Sequence, residues 1–146
     1  MLTGSPHDYT LEYAPDATVE ERTAVLDGLR AFNLRFVPEP QFAPVVVLLR
    51  DSSGTIAGGL VGETGWQWLH IYWLWVEDTA RGRGFGRQLL AMAEGEAIRR
   101  RCVASWLDTF EFQARGFYER SGYKLFGTLE NYPPGYGRYF LEKRLA

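Results

Sequence analysis

Apolar and polar positions change rhythm several times along this chain. Residues 2 to 13 alternate weakly, which predicts a first strand. In Thr18-Val19-Glu20-Glu21 a hydroxyl precedes a glutamate by three positions, the pattern of a helix-opening capping box. Val25, Leu29, Phe32 and Phe36 then recur at helical spacing, predicting a helix from about Val19 to Arg35. Pro38, Pro40 and Pro44 interrupt the next stretch of chain. Residues 45 to 50 have the composition of a buried strand, Asp51 to Gly54 that of a turn, and Thr55 to Gly62 that of a second strand. Glu63 to Gly65 reads as a second turn, and Trp66 to Val76 as a long aromatic third strand completing an antiparallel meander.

A turn over Glu77 to Arg83 leads into a helix from about Gly84 to Arg101, with Phe85, Leu89, Met92, Ala93 and Ala97 on one face. Val103 to Asp108 reads as a strand and Phe112 to Ser121 as a short helix closed by Gly122. Tyr123 to Thr128 and Arg138 to Leu145 read as final strands joined by a Pro-Gly-rich loop. The order predicts an α/β fold whose α+β mixed sheet is antiparallel at first, parallel around the long helix, and flanked by helices. The length suits one domain, residues 1 to 146, and no repeat or linker divides it.

Composition narrows the partners. Hydrophobic residues make up 46% and charged residues 23%, so the chain folds around a core of its own. A net charge of −2 lacks the basic surplus of a nucleic-acid binder. No stretch approaches a membrane span and the first residues show no secretory pattern, so the expected place is the cytoplasm. The one cysteine, Cys102, precedes an apolar run and reads as a small buried hydrophobe; no metal site is expected.

The chemistry concentrates in Arg81-Gly82-Arg83-Gly84-Phe85-Gly86, between a strand and a helix. A helix N-terminus carries unpaired N–H groups and partial positive charge, and glycines let a backbone close around a phosphate. Arg81, Arg83 and Arg87 add charge and forked donors. A dinucleotide fingerprint fails because Arg87 stands where its third glycine belongs, and the Lys-Ser/Thr pair of a P-loop is absent. On local pattern alone, a phosphate-bearing ligand and a merely structural turn with solvated arginines both remain open.

Leu74-Trp75-Val76 followed by Arg81-x-x-Gly84-x-Gly86 resembles the acetyl-CoA signature of the GNAT N-acetyltransferase superfamily. Further on, the segment from Ala114 through Phe117, Tyr118 and Gly122 to Tyr123 resembles that superfamily's second signature, and the match in order extends over about residues 16 to 146. The resemblance implies a central sheet splayed open in the middle and acetyl-CoA as acyl donor. It implies a pyrophosphate on the backbone of Arg81, Gly82, Arg83, Gly84, Phe85 and Gly86, with Arg87 beside it. The pantetheine arm would lie along Leu74, Trp75 and Val76, with Phe117 and Arg120 also against the coenzyme. Tyr118 matches the tyrosine that serves the leaving sulfur as general acid, and the Val76 N–H would hold the developing oxyanion. One position departs: Glu111 stands where the family often has an asparagine that contacts the pantetheine.

A base must take a proton from an attacking amine, and His70 has the chemistry for this near neutral pH. It precedes Val76 by six residues, so strict alternation puts both on one strand face, with Tyr72 beside them; related enzymes place a glutamate here. Glu63 and Glu111 are rival bases. The acceptor, expected to be a small-molecule amine, would meet aromatic walls from the Phe36-to-Phe42 segment, Trp66, Trp68 and the loop Asn131 to Gly137 with Tyr132 and Tyr136. A protein or peptide substrate and a non-catalytic acyl-CoA-binding module are the alternatives, and the same aromatics would equally suit core packing or a homodimer interface.

Overall fold

The computed structural model describes residues 8–146; of these, residues 8–39 fall in one compact unit and residues 40–146 in another. In the first unit, helix α1 (Val19–Asn33) starts as predicted. The Glu21 N–H donates to Thr18 Oγ1 at 3.1 Å and the Thr18 N–H to Glu21 Oε2 at 3.0 Å, a complete capping box. The predicted first strand does not form over residues 8 to 13, and residues 2–7 of it lie outside the described residues. Alternation makes a strand only where a neighbouring strand supplies ladder bonds, and none does so here.

The second unit holds a six-stranded sheet in the order β1-β2-β3-β4-β6-β5: β1 (Ala43–Arg50), β2 (Ile56–Gly65), β3 (Trp68–Val76), β4 (Ala104–Phe110), β5 (Lys124–Leu129) and β6 (Arg138–Arg144). Only β3 and β4 run parallel, and α2 (Phe85–Arg99) is the crossover between them; α3 (Arg115–Arg120) follows β4. The mixed sheet with its antiparallel meander is thus as the sequence predicts. Among the described residues, no helix is long and apolar enough to cross a membrane.

Two local readings change. The second hairpin turns at Trp66-Gln67, not at Glu63 to Gly65. Both turn residues have positive φ (46° and 64°), the geometry of a two-residue hairpin that matches the strand twist. Gly65 stays in β2 because the Phe42 ring packs directly on it and leaves no room for a Cβ. On α2 the buried stripe is Leu89, Leu90, Ala93 and Ala97, whereas Met92 points to solvent. Arg100 ties the end of this helix to the meander, donating to the Ala43 carbonyl (3.1 Å), Thr64 Oγ1 (3.0 Å) and the Pro44 carbonyl (3.1 Å). Cys102 is buried, as expected, and burial pushes its thiol pKa up.

One irregularity shapes the middle of the sheet. Val61 pairs with Trp73 and Gly62 with Ile71, so Tyr72 is an extra residue, a β-bulge. Gly62 permits the close approach, since a Cβ there would meet the His70 carbonyl oxygen at 2.5 Å. Before the bulge the inward residues are Leu69 and Ile71; after it they are Leu74 and Val76. β3 and β4 pair only from Trp68↔Ala104 to Ile71↔Leu107, although they continue to Val76 and Phe110. Past that point the sheet forks.

Candidate active site at the fork

The fork exposes backbone. The Glu77 N–H bonds to the Ala57 carbonyl on β2 (2.8 Å), so by alternation Trp75 and Trp73 face their peptide groups to β2. Leu74 and Val76 therefore turn theirs toward the opening. The Val76 carbonyl is taken by Arg81 Nε at 2.8 Å, and Arg81 Nη1 also pairs with Asp78 Oδ1 at 3.0 Å. The Arg81 guanidinium is thus a brace inside the turn, where the sequence suggested outward charge. The Val76 N–H and both peptide groups of Leu74 remain toward the fork.

The turn beyond it suits a diphosphate. Gly82 and Gly84 have φ of 74° and 83°, conformations that glycine adopts without strain. Gly84 caps α2 without a side-chain bond, so the first-turn N–H groups are left for a ligand. No acidic residue occupies that turn, and Arg83 and Arg87 are exposed beside it. Arg83 leans over the Phe85 ring, 5.2 Å from its centroid. Arg87 Nη2 and Gln88 Nε2 each lie 3.9 Å from where a Gly84 Cβ would stand, so donors edge the open space over the glycine. Phe117 reaches the same helix turn; its Cζ is 3.4 Å from a Cβ built on Gly86, with Leu74 Cδ2 at 4.0 Å. Arg120 folds back over Gly116, with Nη1 3.1 Å from the Cβ position there.

Tyr118 is buried on α3, its ring 5.1 Å from Phe117 and 6.0 Å from Tyr123 between centroids. Its hydroxyl has no hydrogen-bond partner among the described residues. Because no fully buried side-chain nitrogen or oxygen among them lacks a partner, this oxygen reaches open space. Burial first, then the nearby Asp108 charge, pushes its pKa up to about 12. A core tyrosine bonded to a carbonyl would look different.

His70 needs a correction. The Tyr72 bulge inverts the strand phase, so His70 does not share the inward face of Val76. It lies on the opposite face, stacked on Trp106 of β4 with centroids 3.7 Å apart and with the Tyr72 ring at 4.3 Å. Desolvation by this packing lowers its pKa below the ordinary 6.5, against the opposing pull of Asp108 and Glu63. Glu63 is the cross-strand neighbour of His70, and its Oε1 accepts from the Tyr72 hydroxyl at 3.3 Å.

Asp108 was not foreseen, though it is the single charge in the strand Ala104–Phe110, a signal present in the sequence. It is the first residue of β4 past the last pair with β3, so it stands at the crotch of the fork. Arg138 grips it with Nε and Nη2, both 2.7 Å from Oδ2, and lies over the rings of Phe110, Tyr132 and Phe140.

The expected acceptor walls divide. Phe42, Trp66 and Trp68 gather where β3 and β4 begin, and Tyr132 and Tyr136 gather where β4 ends. Six residues of strand put these groups about 20 Å apart. Only the tyrosines border the fork. Phe36 belongs to the first unit, its ring tilted against that of Phe32 with centroids 5.3 Å apart. Glu111 is committed to the loop, accepting from the Gly137 N–H at 2.8 Å.

Comparisons with known proteins show the family and the fold. The family model described as the acetyltransferase (GNAT) family matches residues 8–123. Blasticidin-S acetyltransferase of Streptomyces morookaense is 48% identical over 130 residues, covering 86% of this chain and 92% of the relative. The crystal structure of an acetyltransferase from Bacillus cereus superposes with a TM-score of 0.85 at 32% identity, covering 91% of this chain and 97% of that one. An aminoglycoside 6'-N-acetyltransferase crystallised with coenzyme A shares the fold at TM-score 0.64 and 19% identity, over 70% and 73% of the two chains. The chain belongs to the acetyltransferase (GNAT) family and is an acetyl-transferring enzyme whose donor is acetyl-CoA.

Proposed function

We propose that this enzyme N-acetylates a small cationic amine of the blasticidin-S class, with Tyr118 serving the leaving sulfur and His70 the attacking nitrogen. The observation that supports the reading is at the fork: Asp108 stands where β3 and β4 separate, and its charge reaches the unpartnered hydroxyl of the buried Tyr118 ring. The 48% identity to blasticidin-S acetyltransferase over most of both chains supports the acceptor class.

Acetyl-CoA supplies an acetyl group activated as a thioester. The first-turn N–H groups of α2, with Arg83 and Arg87, hold the diphosphate, and Arg120 and Phe117 flank the coenzyme. Leu74 and Val76 offer the arm a strand edge, whereas Trp75 between them turns its peptide groups to β2. The Val76 N–H, turned toward the fork, would donate to the thioester carbonyl oxygen, where one such donor is worth about 3 kcal/mol. His70 is neutral at pH 7 because its pKa is lowered, so it can accept the ammonium proton of the incoming amine. Tyr118, at about 12, stays protonated at any working pH. An ordinary thiol titrates near ~8.5, so Tyr118 stabilises the departing sulfur more cheaply by a donated hydrogen bond than by complete proton transfer.

The test is coenzyme-A release with blasticidin S, simple aliphatic amines and a Lys-rich peptide. Saturable turnover with blasticidin S and none with the peptide is expected. Faster turnover of the peptide would move the assignment to protein acetylation, and acetyl-CoA binding with no turnover of any amine would leave a binding module.

His70 makes a second prediction. A base with a lowered pKa works above that pKa and is lost as pH falls through it, so the acid limb of kcat/KM should lie below pH 6.5. His70→Gln should remove that limb and lower the plateau by about 10²-fold. An unchanged limb in this variant would assign it to another group, Asp108 and Glu63 being the carboxylates whose charges reach His70.

A further inference from the structure

The loop between β5 and β6 ends in an unusual tie. The β4–β6 ladder finishes at Phe110↔Arg138, and the Glu111 N–H extends it by one bond to the Gly137 carbonyl at 2.9 Å. The reciprocal bond goes elsewhere: the Gly137 N–H donates to Glu111 Oε2 instead of the Glu111 carbonyl. A side chain thus stands in for the strand backbone at the point where the chain turns away toward Phe112. Beyond the tie, the loop closes on itself, with the Tyr132 N–H to the Tyr136 carbonyl (2.9 Å) and the Tyr136 N–H to the Pro133 carbonyl (3.0 Å).

The held segment carries two rings. Tyr136 meets Phe112 edge-on at 5.0 Å, and Tyr132 covers Arg138 at 4.8 Å, which in turn grips Asp108. Both tyrosines remain about half exposed, at 50% and 47%, on the border of the fork. Half-exposed rings at this position match an acceptor that carries a flat ring.

We propose that Glu111 is the latch that positions this aromatic wall, and that the wall receives a planar ring of the acceptor. This rests on the reading that the acceptor enters at the fork. Glu111 acts through the loop and is a positioning residue, not a base. Its occupied carboxylate also accounts for the departure from the family's asparagine.

Three measurements on the full chain test it. With a ring-bearing acceptor such as blasticidin S, Glu111→Ala should raise KM about tenfold and leave kcat and acetyl-CoA affinity unchanged, while Glu111→Gln, which keeps an acceptor oxygen, should restore KM. With an aliphatic amine of equal charge neither variant should differ from the parent. Hydrogen exchange in residues 131–137 should speed in Glu111→Ala alone, a readout independent of turnover. A fall in kcat at constant KM, an equal effect on both acceptors, or unchanged exchange would overturn the latch. Absence of turnover by the parent with every amine would instead defeat the function reading, and the exchange experiment would still decide whether the latch exists.

Discussion

Tyr118→Phe is expected to lower kcat by about 10²- to 10³-fold while leaving acetyl-CoA affinity and thermal stability near those of the parent. The separation of effects comes from the site. The ring stays, with its contacts to Phe117 and Tyr123. The hydroxyl has no partner among the described residues, so removing it orphans no buried group. On the proposed mechanism, what is lost is the hydrogen-bond donor to the departing sulfur. The pH profile gives a second check. A tyrosine raised to about 12 loses its proton only well above the ordinary 10, so the parent should show no alkaline decline from this group below about pH 11. Steady-state kinetics of the variant beside calorimetric titration with acetyl-CoA would measure both. A kcat within threefold of the parent would remove Tyr118 from the mechanism.

How much of this was legible in the sequence depends on distance along the chain. The capping box of Thr18 and Glu21 and the glycine-rich opening of α2 are local, because a few adjacent residues determine their own backbone. The hairpin at Trp66-Gln67 was not, since two large residues at positive φ carry no compositional mark. The misplacement of His70 has one cause. Alternation assumes an uninterrupted pleat, and a single extra residue at Tyr72 reverses every face after it. The same bulge marks where the fork opens, so the error fell at the candidate site. Asp108 and Arg138 are 30 residues apart in sequence, and Glu111 and Gly137 are 26 apart. Their pairing depends on how β6 inserts between β4 and β5, which no local pattern encodes.

Gly84→Val is expected to weaken acetyl-CoA binding by 10-fold or more, beyond what strain alone explains. Two effects combine at this residue. Its φ of 83° is costly for a β-branched side chain, about 1–3 kcal/mol. The new Cβ would also enter the space edged by Arg87 Nη2 and Gln88 Nε2, each 3.9 Å away, in front of the uncapped first turn of α2. Gly54 separates the two. Its φ is 82°, no atom lies within 4 Å of its Cβ position, and it sits in the β1–β2 turn at Asp51 to Gly54. Gly54→Val should therefore show a similar loss of thermal stability and bind acetyl-CoA like the parent. Calorimetric titration of both variants, with melting curves for each, makes the comparison. Equal weakening in the two would mean that strain, not a filled cradle, governs the cofactor. A Gly84 variant that binds like the parent would show that the diphosphate lies elsewhere than on the N-terminus of α2.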